Sequence, residues 1–437
     1  MHRAGFRGRT VERPGPWGGA VRHTPTHLRR EPSRKADIVV SDQHDVISLP
    51  HLHELSTGFG SADAVLSLAD GQRDLRRALV ASVYRAAEPL GADRAAWTLI
   101  NQLDHSHPDV LDGVLGHPYL RAWAERCLSR PPVAATSHLA SFAAAAAILA
   151  GVAACLDVPV IEGRVFLPTL GTVLVDPEAS IAVLSCDHGA VAVWAGGAEV
   201  RLDSGTIAPL AGADASWLPS RTLYLGDFTV RLEDGDPCRD DYHRLATGCL
   251  PDSEVDRWRS LCADAWALIE RDYPQYVPGI TAGLRAVIPL RSALPGQHTS
   301  GTVREAFGAV GIARPDDPEA LALLLIREFQ QVKICGILDL IELYERSDRD
   351  RYRVGRCPDP QPLEGVLRGA YAHLGVTDFW RVRRRTAHGA AAEEADGEFT
   401  RSLSGTAEAI ETLLHSGSLN PTGLAFVEGM RSTTNHW

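Results

Sequence analysis

The chain has 437 residues, 45% of them apolar and 23% charged, with a formal net charge of −11. That length exceeds one average domain and suffices for a sizeable core, and the composition argues against a disordered or fibrous protein. Residues 1–35 carry nine basic and two acidic side chains, so the remainder holds 35 basic against 53 acidic, a net of −18. An acidic body lacks the clustered cations that phosphate contacts require, which argues against a nucleic-acid partner and leaves room for a basic peptide.

Two further counts bear on compartment. The eight cysteines are scattered with no CxxC pair, so neither a metal finger nor a disulfide framework is expected, and a reducing cytoplasm is. The Arg-rich start has no apolar signal core.

Taken in chain order, residues 1–45 are rich in Arg, Gly, Pro and His without apolar periodicity, and we read them as a disordered basic tail or as a start placed too early. Residues 46–156 read as helical. Leu75, Leu79, Val83 and Ala86 recur at helical spacing, as do Trp97, Leu99, Ile100 and Leu103. The uncharged run Leu139–Leu156 is long enough to raise the membrane question, but it is mostly alanine and lacks aromatic ends, so a buried helix is expected rather than a span.

The period then changes. Residues 157–235 read as an antiparallel β module, with strands at 173–175, 181–185, 191–194, 199–202, 222–225 and 228–232. Asp187-His188-Gly189, Gly196-Gly197 and Gly226-Asp227 are the expected hairpin turns. Residues 236–437 return to helix: one run capped near Asp252-Ser253 and ended by Pro274, one after Asp317-Pro318, one over 363–385 and one over 407–414. The fold class is therefore α+β, mostly helical, with the antiparallel β module between helical halves.

The chemistry-bearing segment is Pro318 to Tyr344. Asp317 suits an N-cap and Pro318 the first helical position. Leu321 and Leu323 to Ile326 make the first half apolar on nearly every side, and Arg327, Glu328, Gln330 and Gln331 interrupt that surface. Arg327 and Gln331 share a helix face. Buried polar groups cost free energy unless paired, so this face either lines a cleft or has polar partners. The plainer reading is a helix boundary at which Arg327 reaches solvent along its aliphatic stem.

The segment Arg327-Glu328-Phe329-Gln330-Gln331, followed by Val332-Lys333-Ile334 and a leucine-rich run to Tyr344, resembles the HExxH-motif family of peptide-modification proteins. His298 to Val310 upstream, Leu367 to Trp380 downstream and Ser418 to Arg431 match its other signatures, so the resemblance covers 290–431. It implies work on a ribosomally made precursor peptide beside a radical-SAM maturase, and in some members β-hydroxylation dependent on iron(II) and 2-oxoglutarate. His373 matches the family's downstream histidine, which the resemblance makes a metal ligand or its neighbour. Glu328 is the surviving motif residue and the candidate catalytic group, while Arg327, Gln331, His298 and Ser300 are candidates for substrate binding.

The departure from the motif alters that expectation. Two histidines at i and i+4 hold one metal from one helix face. Here those positions are Arg327, which stays protonated, and Gln331, a weak neutral donor. We therefore expect no resident metal or cofactor unless other side chains replace the lost imidazoles. Two expectations follow: a relative that binds the precursor peptide or a partner maturase, or an active peptide β-hydroxylase with a rearranged site. Arg327 is expected to pair with Glu328 or to receive an acidic substrate group.

Overall fold

A computed structural model describes residues 47–87, 94–129, 138–187, 190–203, 216–239, 246–292, 299–345, 349–355 and 359–437. The expected basic tail, His298, and His188-Gly189 of the first expected turn lie outside the described residues. Six helices come first: α1 (Leu49–Ser56), α2 (Ala62–Ala87), α3 (Arg94–Ser106), α4 (Pro108–Leu115), α5 (Leu120–Ser129) and α6 (His138–Ala150). Nine strands follow: β1 (Ala154–Pro159), β2 (Arg164–Leu167), β3 (Gly171–Leu174), β4 (Ile181–Asp187), β5 (Ala190–Ala195), β6 (Ala198–Asp203), β7 (Trp217–Pro219), β8 (Arg221–Leu225) and β9 (Phe228–Leu232). The last part holds α7 (Asp252–Asp272), α8 (Val277–Gly283), β10 (Ala286–Leu290), β11 (Ser300–Gly301), β12 (Ala309–Ala313), α9 (Pro318–Leu340), α10 (Leu363–Thr386), α11 (Ala390–Leu414) and α12 (Pro421–Asn435).

The antiparallel module is present. β1-β4-β5-β6 form one sheet and β2-β3-β7 another, both antiparallel throughout. The β5–β6 hairpin turns on Gly196 and Gly197 at φ 58° and 82°, backbone that a side chain resists, which is why the Gly-Gly pair marks the turn.

Three expectations are corrected. The uncharged run to Leu156 is not one helix, because α6 stops at Ala150 and β1 begins at Ala154. Asp252 and Ser253 lie in the first turn of α7, whose N-cap is Pro251. Residues 286–313, read as part of a helical region, supply β10, β11 and β12 to a sheet of order β11-β12-β10-β9-β8 in which β10 runs parallel to both β9 and β12. No helix among the described residues is long and apolar enough to cross a membrane.

That five-stranded sheet divides the interior. Val287 of β10 and Val310 and Ile312 of β12 face a core shared with α1 and α7 to α12. Ala286, Ile288 and Leu290, with Ala309 and Ala313, face a second core built from α3 to α6 and the antiparallel strands. Alternate residues of the same strands thus serve opposite cores, the period-2 consequence of a sheet buried on both sides.

Candidate functional site at helix α9

Helix α9 begins as its sequence demands: the Asp317 carboxylate accepts from the Ala320 amide at 2.8 Å, and Pro318 stands in the first turn. Gly336 lets α9 lie against Phe307, since a Cβ there would stand 2.7 Å from the ring. Most of the helix is buried, including Glu328 at 1% exposure, Gln330 and Lys333.

The polar cluster is built from α9, the short edge strand β11 and Thr302 just after it. The Ser300 hydroxyl donates to Glu328 Oε1 at 2.8 Å and accepts from Arg327 Nη1 at 3.0 Å. The Thr302 hydroxyl donates to Glu328 Oε2 at 3.0 Å. Arg327 Nη1 also lies 3.1 Å from Glu328 Oε1, with 28% of the arginine side chain exposed. Both carboxylate oxygens are therefore occupied by the protein itself, and the charge is answered by the neighbouring guanidinium.

Gln331 points elsewhere. Its Nε2 donates to the Arg368 carbonyl at 3.1 Å and its Oε1 accepts from Arg368 Nε at 3.4 Å, pinning the motif's last position to α10. His373, also on α10, is 5% exposed. Burial, reinforced by the charge of Arg327, pushes its pKa down to about 3, so the imidazole is neutral.

The structure thus brings Arg327, Glu328 and Ser300 into one contact set, places Gln331 on a different partner, and sets His373 within the field of Arg327. Glu342 and Glu345 follow the end of α9, where Glu342 accepts from Asn420 through its carbonyl and Glu345 donates through its amide to Ser418. Thr302 was not singled out in the sequence, although it stands two residues from Ser300, the spacing that returns a strand to the same face.

Further polar side chains also seat the helix. Gln330 Nε2 donates to the Gly58 carbonyl at 2.6 Å, and Lys333 Nζ donates to the same carbonyl at 2.9 Å and to that of Phe59. Burial pushes the Lys333 pKa down to about 7. Near the helix end, Asp339 receives Arg304 at 2.7 Å, Gln72 at 3.1 Å and Arg121, tying α9 to α2 and α5.

Iron(II), which the resemblance implies, does not fit these residues. Arg327 places a fixed positive charge against the one motif carboxylate, whose oxygens already accept from two hydroxyls, and the Gln331 amide is turned to Arg368. Among the described residues no three His, Cys, Asp or Glu side chains gather as a metal site. No known family model matches the chain, and no curated protein does.

Proposed function

We propose that this chain is a relative of the HExxH peptide-modification proteins in which the motif helix recognises a precursor peptide instead of performing metal chemistry. The observation that carries this reading is the Arg327–Glu328–Ser300 contact, in which a guanidinium stands beside the motif carboxylate and remains partly open to solvent. A second feature suits a peptide. β11 is the terminal strand in its sheet, and it carries Ser300. An extended peptide adds naturally to such an edge through its backbone, with alternate side chains read by the neighbouring surface. An acidic group of that peptide would displace part of the Glu328 pairing and meet Arg327 bidentately.

The test has two arms. Purified protein is incubated anaerobically with iron(II) and 2-oxoglutarate, desalted and analysed for metal; we expect no tightly held iron. In the second arm, synthetic extended peptides that carry an acidic side chain are titrated into wild type and Arg327→Gln, with a loss of about tenfold or more expected in the variant. About one iron per chain, together with peptide hydroxylation, would overturn the binding role in favour of a rearranged oxygenase. Equal peptide affinity in the two proteins would remove Arg327 from recognition.

A further inference from the structure

The sheet β1-β4-β5-β6 buries one side against the second core, into which Leu156, Leu184, Val193 and Val200 point. Alternate residues of the same strands face outward. The outward side of an antiparallel sheet is ordinarily polar. Here the two central strands break that rule. Ile181 and Val183 of β4 are 58% and 39% exposed, and Trp194 of β5 is 40% exposed.

The strand register arranges these side chains. Val183 stands opposite Trp194, its neighbour on the other side is Asp157 of β1, and the far neighbour of Trp194 is Glu199 of β6. One row across the four strands therefore reads Asp157, Val183, Trp194, Glu199: two apolar side chains between two carboxylates. Strands lie about 4.8 Å apart, so the two acidic positions are about 14 Å apart across the row. An apolar centre inside a polar rim is the anatomy of a protein interface, and tryptophan is among the residues that dominate binding at such centres.

Charge selects the occupant. Residues 154–203 hold seven acidic and two basic side chains, a net of −5. Asp157 is exposed, and its side chain has no hydrogen bond or ion pair among the described residues. Glu199 accepts from Arg201 at 2.9 Å, but 80% of that arginine side chain is in solvent, where such a pair exchanges at little cost. Nucleic acid and anionic membrane are repelled by this rim. A second copy is disfavoured too, because the row reads the same in both directions and self-pairing sets carboxylate against carboxylate.

We propose that the outward face of this sheet docks a basic polypeptide segment, with an apolar side chain seated on Val183 and Trp194 between two cations that meet Asp157 and Glu199. An extended chain rises about 3.3 Å per residue, so basic residues four apart span about 13 Å and match the row, and the residue midway between them falls on the same side. A guanidinium at the Glu199 end also reaches the face of the Trp194 ring. This surface belongs to the second core and α9 to the first, so the two readings stand independently.

The full chain is titrated by calorimetry with the synthetic peptide Gly-Ser-Arg-Ser-Leu-Ser-Arg-Ser-Gly and with a control in which glutamate replaces both arginines. We expect saturable binding of the first alone, weakening as salt rises. Trp194→Ser should reduce the affinity about tenfold. Asp157→Asn, a near-isosteric change at an exposed position, should reduce it severalfold and flatten the salt dependence; it serves alone if Trp194→Ser does not fold. No saturable binding up to about 1 mM overturns the proposal. Equal binding of the control peptide, or wild-type affinity in both folded variants, overturns it as well. A dimer in sedimentation that Trp194→Ser dissociates would give the face to a second copy instead.

Discussion

Helix α9 and the notch lined by the β8–β9 hairpin and α7 differ in how far their buried polar groups are matched. On α9 most polar side chains have partners at short range, Glu328 in two hydroxyls and a guanidinium, Gln331 in Arg368, Lys333 in two carbonyls and Asp339 in two arginines and Gln72, while Gln330 Oε1 and Gln72 Oε1 have none. In the notch, Arg231, Trp266 and Thr169 each hold an unmatched atom. A closed polar network rigidifies, whereas an unmatched buried group costs the folded state free energy. A resemblance in sequence draws the eye to α9, while the physics of unsatisfied groups draws it to the notch.

Mutations should separate the two. Asp339→Ala removes the anion shared by Arg121 and Arg304 and leaves each arginine one carboxylate, Glu125 and Glu364 respectively, a loss of about 1.5–3 kcal/mol in chemical denaturation. A loss below about 1 kcal/mol would mean that the network contributes little to stability.

Installing the motif of the family it resembles is the next sharpest change. Arg327→His with Gln331→His puts two imidazoles on one helix face, and should raise bound iron(II) or zinc to about one per chain by elemental analysis. If the double variant binds no metal, the pocket has been remodelled beyond those two positions.

Acid should then destabilise the protein. His373 and His138 are both held near pKa 3, below the usual imidazole value of 6.5, chiefly by burial. Unfolding between those values takes up protons, so their contribution is complete above pH 6.5 and is lost as the pH falls toward 3. Glu233, held at about 2, adds a loss of the same sign below its ordinary value of 4.5. Asp236, raised to about 6 by burial, works against them, because its folded form holds a proton that the unfolded form has released. Two histidines outweigh the one carboxyl, and His373→Gln should flatten the slope of stability against pH between 6.5 and 3. An unchanged slope would contradict a neutral, buried His373.

The smallest effect belongs to the notch. Arg231→Met removes a buried guanidinium whose Nε has no partner but whose charge is attracted by Glu233 and Asp236, so the two effects oppose and stability should change by no more than about 1 kcal/mol. Clear destabilisation in a thermal melt would show that the attraction to Glu233 and Asp236 outweighs the unmatched Nε.

The legibility of these regions follows from the range of the interactions that define them. The start of α9 is written locally in Asp317-Pro318, and strands β4 to β6, β8 and β9 are written in alternation and in their turns. β10 and β12 read AVIPL and AVGIA, buried at every position, so they carry no alternation to distinguish strand from helix, and Pro289 argues against a strand. Ser300 was accessible through the resemblance, and Thr302 only through its spacing from Ser300. The Asp339 network joins residues as far apart as Gln72 and Arg121, and the notch joins Thr169 to Trp266; neither pairing leaves a local pattern. Polar partners supplied by distant elements are set by tertiary packing, so a reading of windows cannot find them.

Lys333 gives the protein an internal reporter. Lysine occurs at only two places in the chain, positions 35 and 333, and the second is enclosed by Phe329, Tyr371 and the carbonyls of Gly58 and Phe59. Amine-reactive tags and lysine-specific proteases should therefore pass over this position while the molecule is folded. Release of the fragment beginning at Ile334 during limited digestion would time the opening of the central helix without any engineered label.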